Sequence, residues 1–324
     1  MSSTERVDVV IPTCNTRDIT LRAVAAVVAE KHRGLTLRCI VVDNASKDRT
    51  SEAIRARWSD VVVIRNATDH GYGRACNQGA DAGGAGHLLI LNSDVFAGPG
   101  AIQRLLAFLD ENPDCVAVSG RLVEVGTDRP QVGFAVRAFP SLAGQLALLL
   151  GLERFWPSNP ISRRQVMSDF AYDRTQDLDA QPAGACILVR RSDYEALGGF
   201  DEWFNYWFED VDLLRRLRAR GRIAYCHDAS FEHVGGASFA HWARPRMIGA
   251  RYHGLLRYFN KHHSRREVIA LRAVVALLSV LRALVLWPLA RERARAYRGV
   301  ARLAVRMDAL PALAPRARDG GAEG

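Results

Sequence analysis

The chain has 324 residues, 48% of them hydrophobic and 24% charged, with a formal net charge of +9. That apolar content suffices for one large core plus an appendage. Six cysteines, at 14, 39, 76, 115, 186 and 226, form no Cys-x-x-Cys pair, so neither a zinc site nor a disulfide framework is implied; with no signal-peptide core at the N-terminus, a reducing, cytoplasmic setting is expected.

The N-terminal half alternates strands and helices. Val7-Asp8-Val9-Val10-Ile11 reads as a β-branched strand stopped by Pro12, and residues 18–29 follow with helical periodicity. Cys39-Ile40-Val41-Val42 is a second strand running into Asp43-Asn44-Ala45-Ser46, with a helix over 50–58 behind it. Residues 61–64 and 87–91 supply a third and a fourth strand. Between them, Gly71-Tyr72-Gly73-Arg74 reads as a loop that permits close backbone approach. This pattern predicts an α/β fold, a mainly parallel sheet flanked by helices, with ligands at the carboxyl ends of the strands. Thr13 and Asn15, Asp43 and Asn44, and Asn92-Ser93-Asp94 fall at such ends, in one crevice. The first turn, Pro-Thr-Cys-Asn-Thr, lacks Gly-x-Gly-x-x-Gly, which argues against a dinucleotide site.

Periodicity alone reads the apolar stretch 142–152 as a buried core helix. Farther on, Gly198-Gly199-Phe200-Asp201-Glu202-Trp203 and Trp207-Phe208-Glu209-Asp210-Val211-Asp212 place an acidic pair where an aromatic-rich loop enters an amphipathic helix. A carboxylate there can act as a proton acceptor on the floor of a cleft, or Glu209 and Asp210 can simply complement the helix dipole.

Residues 241–324 carry 17 Arg and Lys against 5 Asp and Glu, whereas residues 1–240 carry 27 against 30. No nucleic-acid-binding module is recognisable, and no nucleic-acid partner is expected. Residues 268–290 are long enough to span a bilayer, but Arg272 and Arg282 interrupt them. An interfacial helix on an anionic membrane, with its arginines reaching lipid phosphates and Trp287 at the boundary, avoids burying those charges. The alternative is a soluble helical hairpin packed on the rest of the chain or on a homodimer partner. Residues 311–324 read as a disordered tail, giving divisions at about 1–240, 241–310 and 311–324.

Seven segments occur in an order that resembles glycosyltransferase family 2, in particular its bacterial rhamnosyltransferase-like members, over roughly residues 6–240. They are Val10-Ile11-Pro12-Thr13-Cys14-Asn15, Val42-Asp43-Asn44-Ala45-Ser46, the 71–79 stretch with its Asn77-Gln78-Gly79, Leu91-Asn92-Ser93-Asp94, Gly184-Ala185-Cys186, the 198–212 stretch and His233-Val234-Gly235-Gly236-Ala237-Ser238. The resemblance implies a GT-A fold, Rossmann-like, with a nucleotide-sugar half at about 1–98, an acceptor half at about 99–240 and a C-terminal helical appendage. It implies inverting transfer of a sugar, L-rhamnose from dTDP-rhamnose, to a lipid-linked or cell-wall glycan that residues 139–156 would face, by an enzyme at the inner face of the cell membrane. A UDP-sugar-dependent hexosyl- or galactofuranosyltransferase, or an inactive glycan- or nucleotide-binding module, are the alternatives.

By the same resemblance, Pro12, Thr13, Asn15, Asp43, Asn44, Arg74, Asn77, Asn92 and Ser93 belong to the nucleotide sugar, with Asp43 on N3 of the base and Arg74 on base or phosphate. Asp43 as a helix cap and Arg74 as a solvated side chain are the competing readings. Asp94 and His233 are assigned to a divalent cation, Mn²⁺ or Mg²⁺, although Asn92 stands where the family's Asp-x-Asp has its first carboxylate. Asp94 also suits a plain turn, and His233 a hydrogen-bonded loop. Asp210 takes the base position with Glu209 beside it. Trp203, Trp207 and Phe208 offer a stacking surface to the acceptor, or belong to the core.

Overall fold

The computed structural model describes residues 6–31, 33–204, 206–236 and 243–306; the Ala237-Ser238 end of the last motif and the 311–324 tail lie outside the described residues. The chain opens with β1 (Val7–Thr13), α1 (Arg17–Lys31), β2 (Leu37–Asn44), α2 (Thr50–Arg57), β3 (Val62–Asn66), α3 (Tyr72–Asp81) and β4 (His87–Leu91). All seven residues of β1 are buried, as expected of an apolar strand in a sheet covered on both faces. Two local expectations fail. β1 continues through Pro12, opposite Val42, because its pairing with β4 ends at Val10 and the missing N–H falls where one neighbour remains. Gly71-Tyr72-Gly73-Arg74 is a helix start: Gly71, at φ 85°, closes the preceding loop, and Tyr72 begins α3.

The second half contributes β5 (Val95–Ala97), α4 (Ala101–Glu111), β6 (Cys115–Glu124), β7 (Val136–Arg137), α5 (Leu142–Leu150), α6 (Leu152–Phe155), α7 (Pro160–Gln165), β8 (Gln176–Asp177), β9 (Gln181–Pro182), β10 (Cys186–Arg190), α8 (Arg191–Ala196), α9 (Glu209–Arg218) and β11 (Arg222–His233). Among the described residues the main sheet has nine strands in the order β3-β2-β1-β4-β10-β6-β11-β5, with β8 on β11. β3, β2, β1 and β4 are mutually parallel, as expected, and so are β6 and β11. β10 runs antiparallel to β4 and β6, and β5 antiparallel to β11, so the whole sheet is mixed.

Those reversals matter for the site. Cys186 pairs with Leu91, so the start of β10 lies at the carboxyl end of β4 and the Asn92 N–H donates to the Ala185 carbonyl at 2.9 Å. β11 delivers its last residue, His233, opposite Val95, one residue beyond Asp94.

The chain continues into α10 (Arg244–His262), α11 (Arg265–Leu286) and α12 (Arg291–Arg306). A reciprocal Ser264–Glu267 capping box starts α11. These helices form a second core in which Tyr252, Leu255, Tyr258, Phe259, Leu271 and Val300 pack with Phe204 and Val211 of the acidic-motif region. By length and composition α11 is apolar enough to cross a membrane, with a mean hydropathy of 2.3 over an 18-residue stretch. Two of its four arginines are bonded within the protein. Arg272 donates to the carbonyls of Ala304 and Val305 at 2.6 and 2.8 Å, and Arg282 to the Leu149 carbonyl and the Tyr252 hydroxyl, both at 2.6 Å. A guanidinium at a helix C-terminus satisfies carbonyls that have no partner within the helix, here those of α12 and α5. The apolar residues Ile269, Leu277, Leu281, Leu284 and Val285 remain exposed on the other face of α11.

Candidate active site

The strand-end loops are tied to one another before any ligand is considered. Asn15, at φ 53°, takes the Lys47 N–H on its side-chain oxygen at 2.7 Å, while its own N–H donates to Ser46 Oγ at 2.9 Å. Asp43 is buried and accepts from the Ser46 N–H at 2.8 Å and from the Ser51 hydroxyl. Its carboxylate therefore organises its own loop, with lone pairs remaining for a second partner. Asn44 bridges the Gly71 carbonyl and Asn66. Thr13 shares hydrogen bonds with Thr16 and Thr20, Ser93 lies 3.3 Å from Thr16 Oγ1, and Pro12 is buried in β1.

Two assignments change. Asn77 is fully buried, and its amide is taken up inside the fold: it donates to the Phe200 carbonyl and Glu202, and accepts from the Tyr194 hydroxyl and the Phe200 N–H. It is a strut between α3 and the Gly-Gly-Phe-Asp-Glu loop, without a free group for a nucleotide. Trp203 is 53% exposed, with the Arg257 guanidinium 5.5 Å from its ring, and is not among the residues lining the cavity described below. Arg74 is half exposed, its Nε 3.8 Å from Glu202.

Asp94 and His233 meet. His233 Nε2 lies 3.5 Å from Asp94 Oδ1, and both residues are buried. Gln131 fixes the ring: its NH₂ donates to the His233 carbonyl at 2.8 Å, so its oxygen, 2.7 Å from Nδ1, accepts the Nδ1 proton and leaves the Nε2 lone pair facing Asp94. Phe134 stacks on the imidazole with ring centroids 4.8 Å apart. A carboxylate oxygen and an oriented imidazole nitrogen suit Mn²⁺ or Mg²⁺, and among the described residues no group of three or more acidic, His or Cys side chains would complete a protein cage. These donors fit a cation whose remaining ligands are diphosphate oxygens and water. Neither Gln131 nor Phe134 belongs to a motif that sequence reading could single out.

Phe134 also lines a cavity of about 360 Å³, together with Tyr72, Asn92, Trp207, Phe208 and Asp210. Asp210 Oδ2 accepts the Gly184 N–H at 3.0 Å, and Oδ1 the Val211 N–H at 2.8 Å. Gly184 is needed there, since a Cβ would lie 2.4 Å from that of Asp210. The Tyr72 hydroxyl donates toward Asn92 and the Gly184 carbonyl, closing the wall between the two halves. Burial pushes the Asp210 carboxyl above its ordinary range, opposed by backbone N–H groups and Arg137. Glu209 is pushed well above its range, first by burial and then by Asp210, and its Oε2 has no partner. Both line the cavity, and of the pair Glu209 is the more strongly raised, while Asp210 keeps backbone N–H donors and the Arg137 charge that favour its ionised form.

The turn that delivers this pair is strained. Trp207 and Phe208 are both left-handed, at φ 63° and 70°, a conformation costing about 1–3 kcal/mol for each non-glycine residue. α10 holds it in place, its Gly254 lying so close that a Cβ would come within 2.4 Å of the Trp207 carbonyl oxygen. On either side of the turn, α10 also neutralises two buried carboxylates. Asp201 pairs with Arg257 at 3.1 Å and Lys261 at 2.9 Å; Asp212 pairs with Lys261 at 2.6 Å and His262 at 2.7 Å, and with Arg216 at 2.8 Å. Burial alone would raise the Asp212 pKa, but the His262 hydrogen bond and the charges of Arg216 and Lys261 hold it at about 2. The start of the basic C-terminal region is thus a support of the acidic motif.

A GT-A-type sheet with an oriented Asp–His pair at its strand ends, and a half-buried carboxylate in the adjoining cavity, defines a class of sugar-nucleotide folds. The family described as glycosyl transferase family 2 matches residues 8–170, just over half of the chain, and the chain belongs to that family. An N-acetylglucosaminyl-diphospho-decaprenol L-rhamnosyltransferase of Mycobacterium tuberculosis is 32% identical over 201 residues, which are 57% of this chain and 62% of the relative. The chain thus spans less than two thirds of that relative's length. The rhamnosyltransferase WbbL of Escherichia coli is 31% identical over 111 residues, 33% of this chain and 38% of its own. Among solved structures, the mannosyltransferase PcManGT of Pyrobaculum calidifontis, in complex with GDP-Man and Mn²⁺, matches with a TM-score of 0.53 over 94% of this chain and 88% of its own, at 15% identity, a likeness of fold alone.

Proposed function

We propose that the protein is an inverting glycosyltransferase that moves a deoxyhexose, L-rhamnose from a dTDP donor, onto a hydroxyl of a lipid-linked glycan. The observation carrying this reading is Asp210: a carboxylate raised in pKa, held by the Gly184 and Val211 N–H groups, and open to a cavity that shares Phe134 with the Asp94–His233 pair. In the proposed step the acceptor oxygen attacks the anomeric carbon, the bond from that carbon to the diphosphate oxygen breaks on the opposite side, and the hydroxyl proton passes to Asp210. One base suffices, because inversion forms no covalent glycosyl-enzyme. Asp94 and His233 would hold a divalent cation, which supplies charge neutralisation for the diphosphate leaving group. Asp43 would receive the base N3–H. Asn92, within the cavity wall, would offer the sugar a neutral oxygen.

The names of the relatives support rhamnose as the sugar and a prenyl diphosphate-linked N-acetylglucosamine as acceptor. The exposed apolar face of α11 and the basic residues of α12 support a site of action at the inner membrane surface. A screen of dTDP-, UDP- and GDP-sugars with a short-chain prenyl diphosphate-linked acceptor tests the reading. Turnover of dTDP-rhamnose with inversion is the expected result; turnover confined to UDP-sugars would assign the hexosyl- or galactofuranosyltransferase alternative, and no turnover with any donor would overturn the proposal.

A further inference from the structure

Two arginines on the cavity wall have no part in the transfer just described. Arg137, in β7, is half-buried and its Nε has no hydrogen-bond partner; Arg251, in α10, lines the same cavity. Among the described residues neither forms an ion pair, although Arg137 and Asp210 lie within electrostatic reach of one another. Burial lowers the Arg137 pKa first, and repulsion from Arg251 lowers it further. Arg251 is exposed, whereas Arg137 is partly desolvated with an unfilled Nε, so the two like charges repel one another and an anion between them would relieve that repulsion. The rest of the wall is mixed, with three glutamines, Gln145, Gln165 and Gln181, beside the acidic pair, and one side of it is apolar. Leu148 and Pro140 lead along α5 to Leu150, Phe155 and Trp156, which are 58, 85 and 53% exposed, and Arg282 ties α11 to the end of the same helix.

We propose that Arg137 and Arg251 bind the diphosphate of a lipid diphosphate-linked acceptor, with the exposed apolar surface of α5 and α6 receiving the first part of its hydrocarbon chain. The proposal rests on the reading of Asp210 as the base, since the same cavity then holds the attacking hydroxyl and its diphosphate together. Guanidiniums match phosphate oxygens in fork geometry and are the stronger partners where water is excluded. The donor also carries a diphosphate, but the Asp94–His233 pair is available for that group. The two sources of one chemistry are therefore separable.

The test is calorimetric titration of the full-length protein with farnesyl diphosphate, with and without saturating dTDP or UDP, for wild type, R137Q, R251Q and R137K. Farnesyl diphosphate should bind wild type in the presence of the nucleotide. Each Gln substitution should weaken that binding about tenfold, the loss of one charge-assisted contact, while R137K keeps part of it. Nucleotide affinity should be unchanged, and neither Gln variant should lose thermal stability. Wild-type affinity for farnesyl diphosphate in both Gln variants would overturn the proposal, as would an equal loss of nucleotide affinity, which would give the arginines to the donor. Arginine-dependent farnesyl diphosphate binding in a protein that turns over no sugar nucleotide would retain this site and remove the glycosyltransferase reading instead.

Discussion

Asp212→Asn isolates the charge network beneath the turn of Trp207 and Phe208. Its carboxyl is held at about 2 against an ordinary 3.8, in a side chain with no exposed surface, and that gap corresponds to roughly 2–3 kcal/mol of stability at neutral pH. The cost should stay below the 3–5 kcal/mol typical of stripping a buried ion of every partner. Lys261 still has Asp201, and Arg216 still donates to the Leu197 and Gly199 carbonyls at 3.0 and 2.9 Å. Urea unfolding at pH 7 should therefore show a loss of about 2–3 kcal/mol. The sign of the pH dependence is fixed by the depressed pKa: the stabilisation is complete above 3.8 and fades as pH falls toward 2, so the gap between wild type and variant should shrink by about half at pH 3. Because α9 begins in this network, kcat should also fall while nucleotide affinity holds. A variant within about 0.5 kcal/mol of wild type at pH 7, or a gap as wide at pH 3 as at pH 7, would refute the reasoning.

Asp210→Asn should lower kcat by at least about 100-fold with donor affinity nearly intact, and near-normal turnover would remove Asp210 as base. Glu209→Gln should have a higher thermal midpoint than wild type at pH 8 and an equal one at pH 4, because a folded-state pKa raised above 4.5 makes ionisation destabilising only as pH rises past that value; equal midpoints at both pH values would contradict the buried neutral acid. Chelation should abolish transfer and Mn²⁺ restore it, and Asp94→Ala or His233→Ala should weaken nucleotide diphosphate binding only when the cation is present; full activity in chelator would leave the pair as a hydrogen-bonding device. The full-length protein should sediment with anionic liposomes and be partly released by salt, whereas failure to sediment would make the outer face of α11 a packing surface.

The parallel core was legible because its strands are continuous β-branched runs ending in polar turns. The direction of β10 was not, since Cys-Ile-Leu-Val-Arg carries no sign of which way it will run. Asp94 and His233 could be paired only through family likeness; their approach depends on β11 pairing with β5. Gln131 and Phe134 sit in a connecting segment without periodicity. Asn77 lay in a recognised motif, yet its amide serves the 200–202 loop. The left-handed backbone of Trp207 and Phe208 was unreadable because bulky residues rarely adopt it, and tertiary contact with Gly254 is what enforces it. The role of α10 was hidden for a related reason: its basic residues look like a surface patch until their partners at Asp201 and Asp212 are known.

The dependence of the 198–212 motif on α10 sets an order of events during synthesis. The first four strands and their helices depend mainly on neighbours made at about the same time, so the nucleotide half can take shape while the ribosome is still working. The acidic turn cannot. Its counter-charges on Arg257 and Lys261, its hydrogen-bond partner His262, and the glycine that accommodates Trp207, emerge only some fifty residues later. A nascent chain thus acquires its N-terminal strand ends before the 198–212 turn is held, and Asp210 gains its fixed position only with residues 244–262.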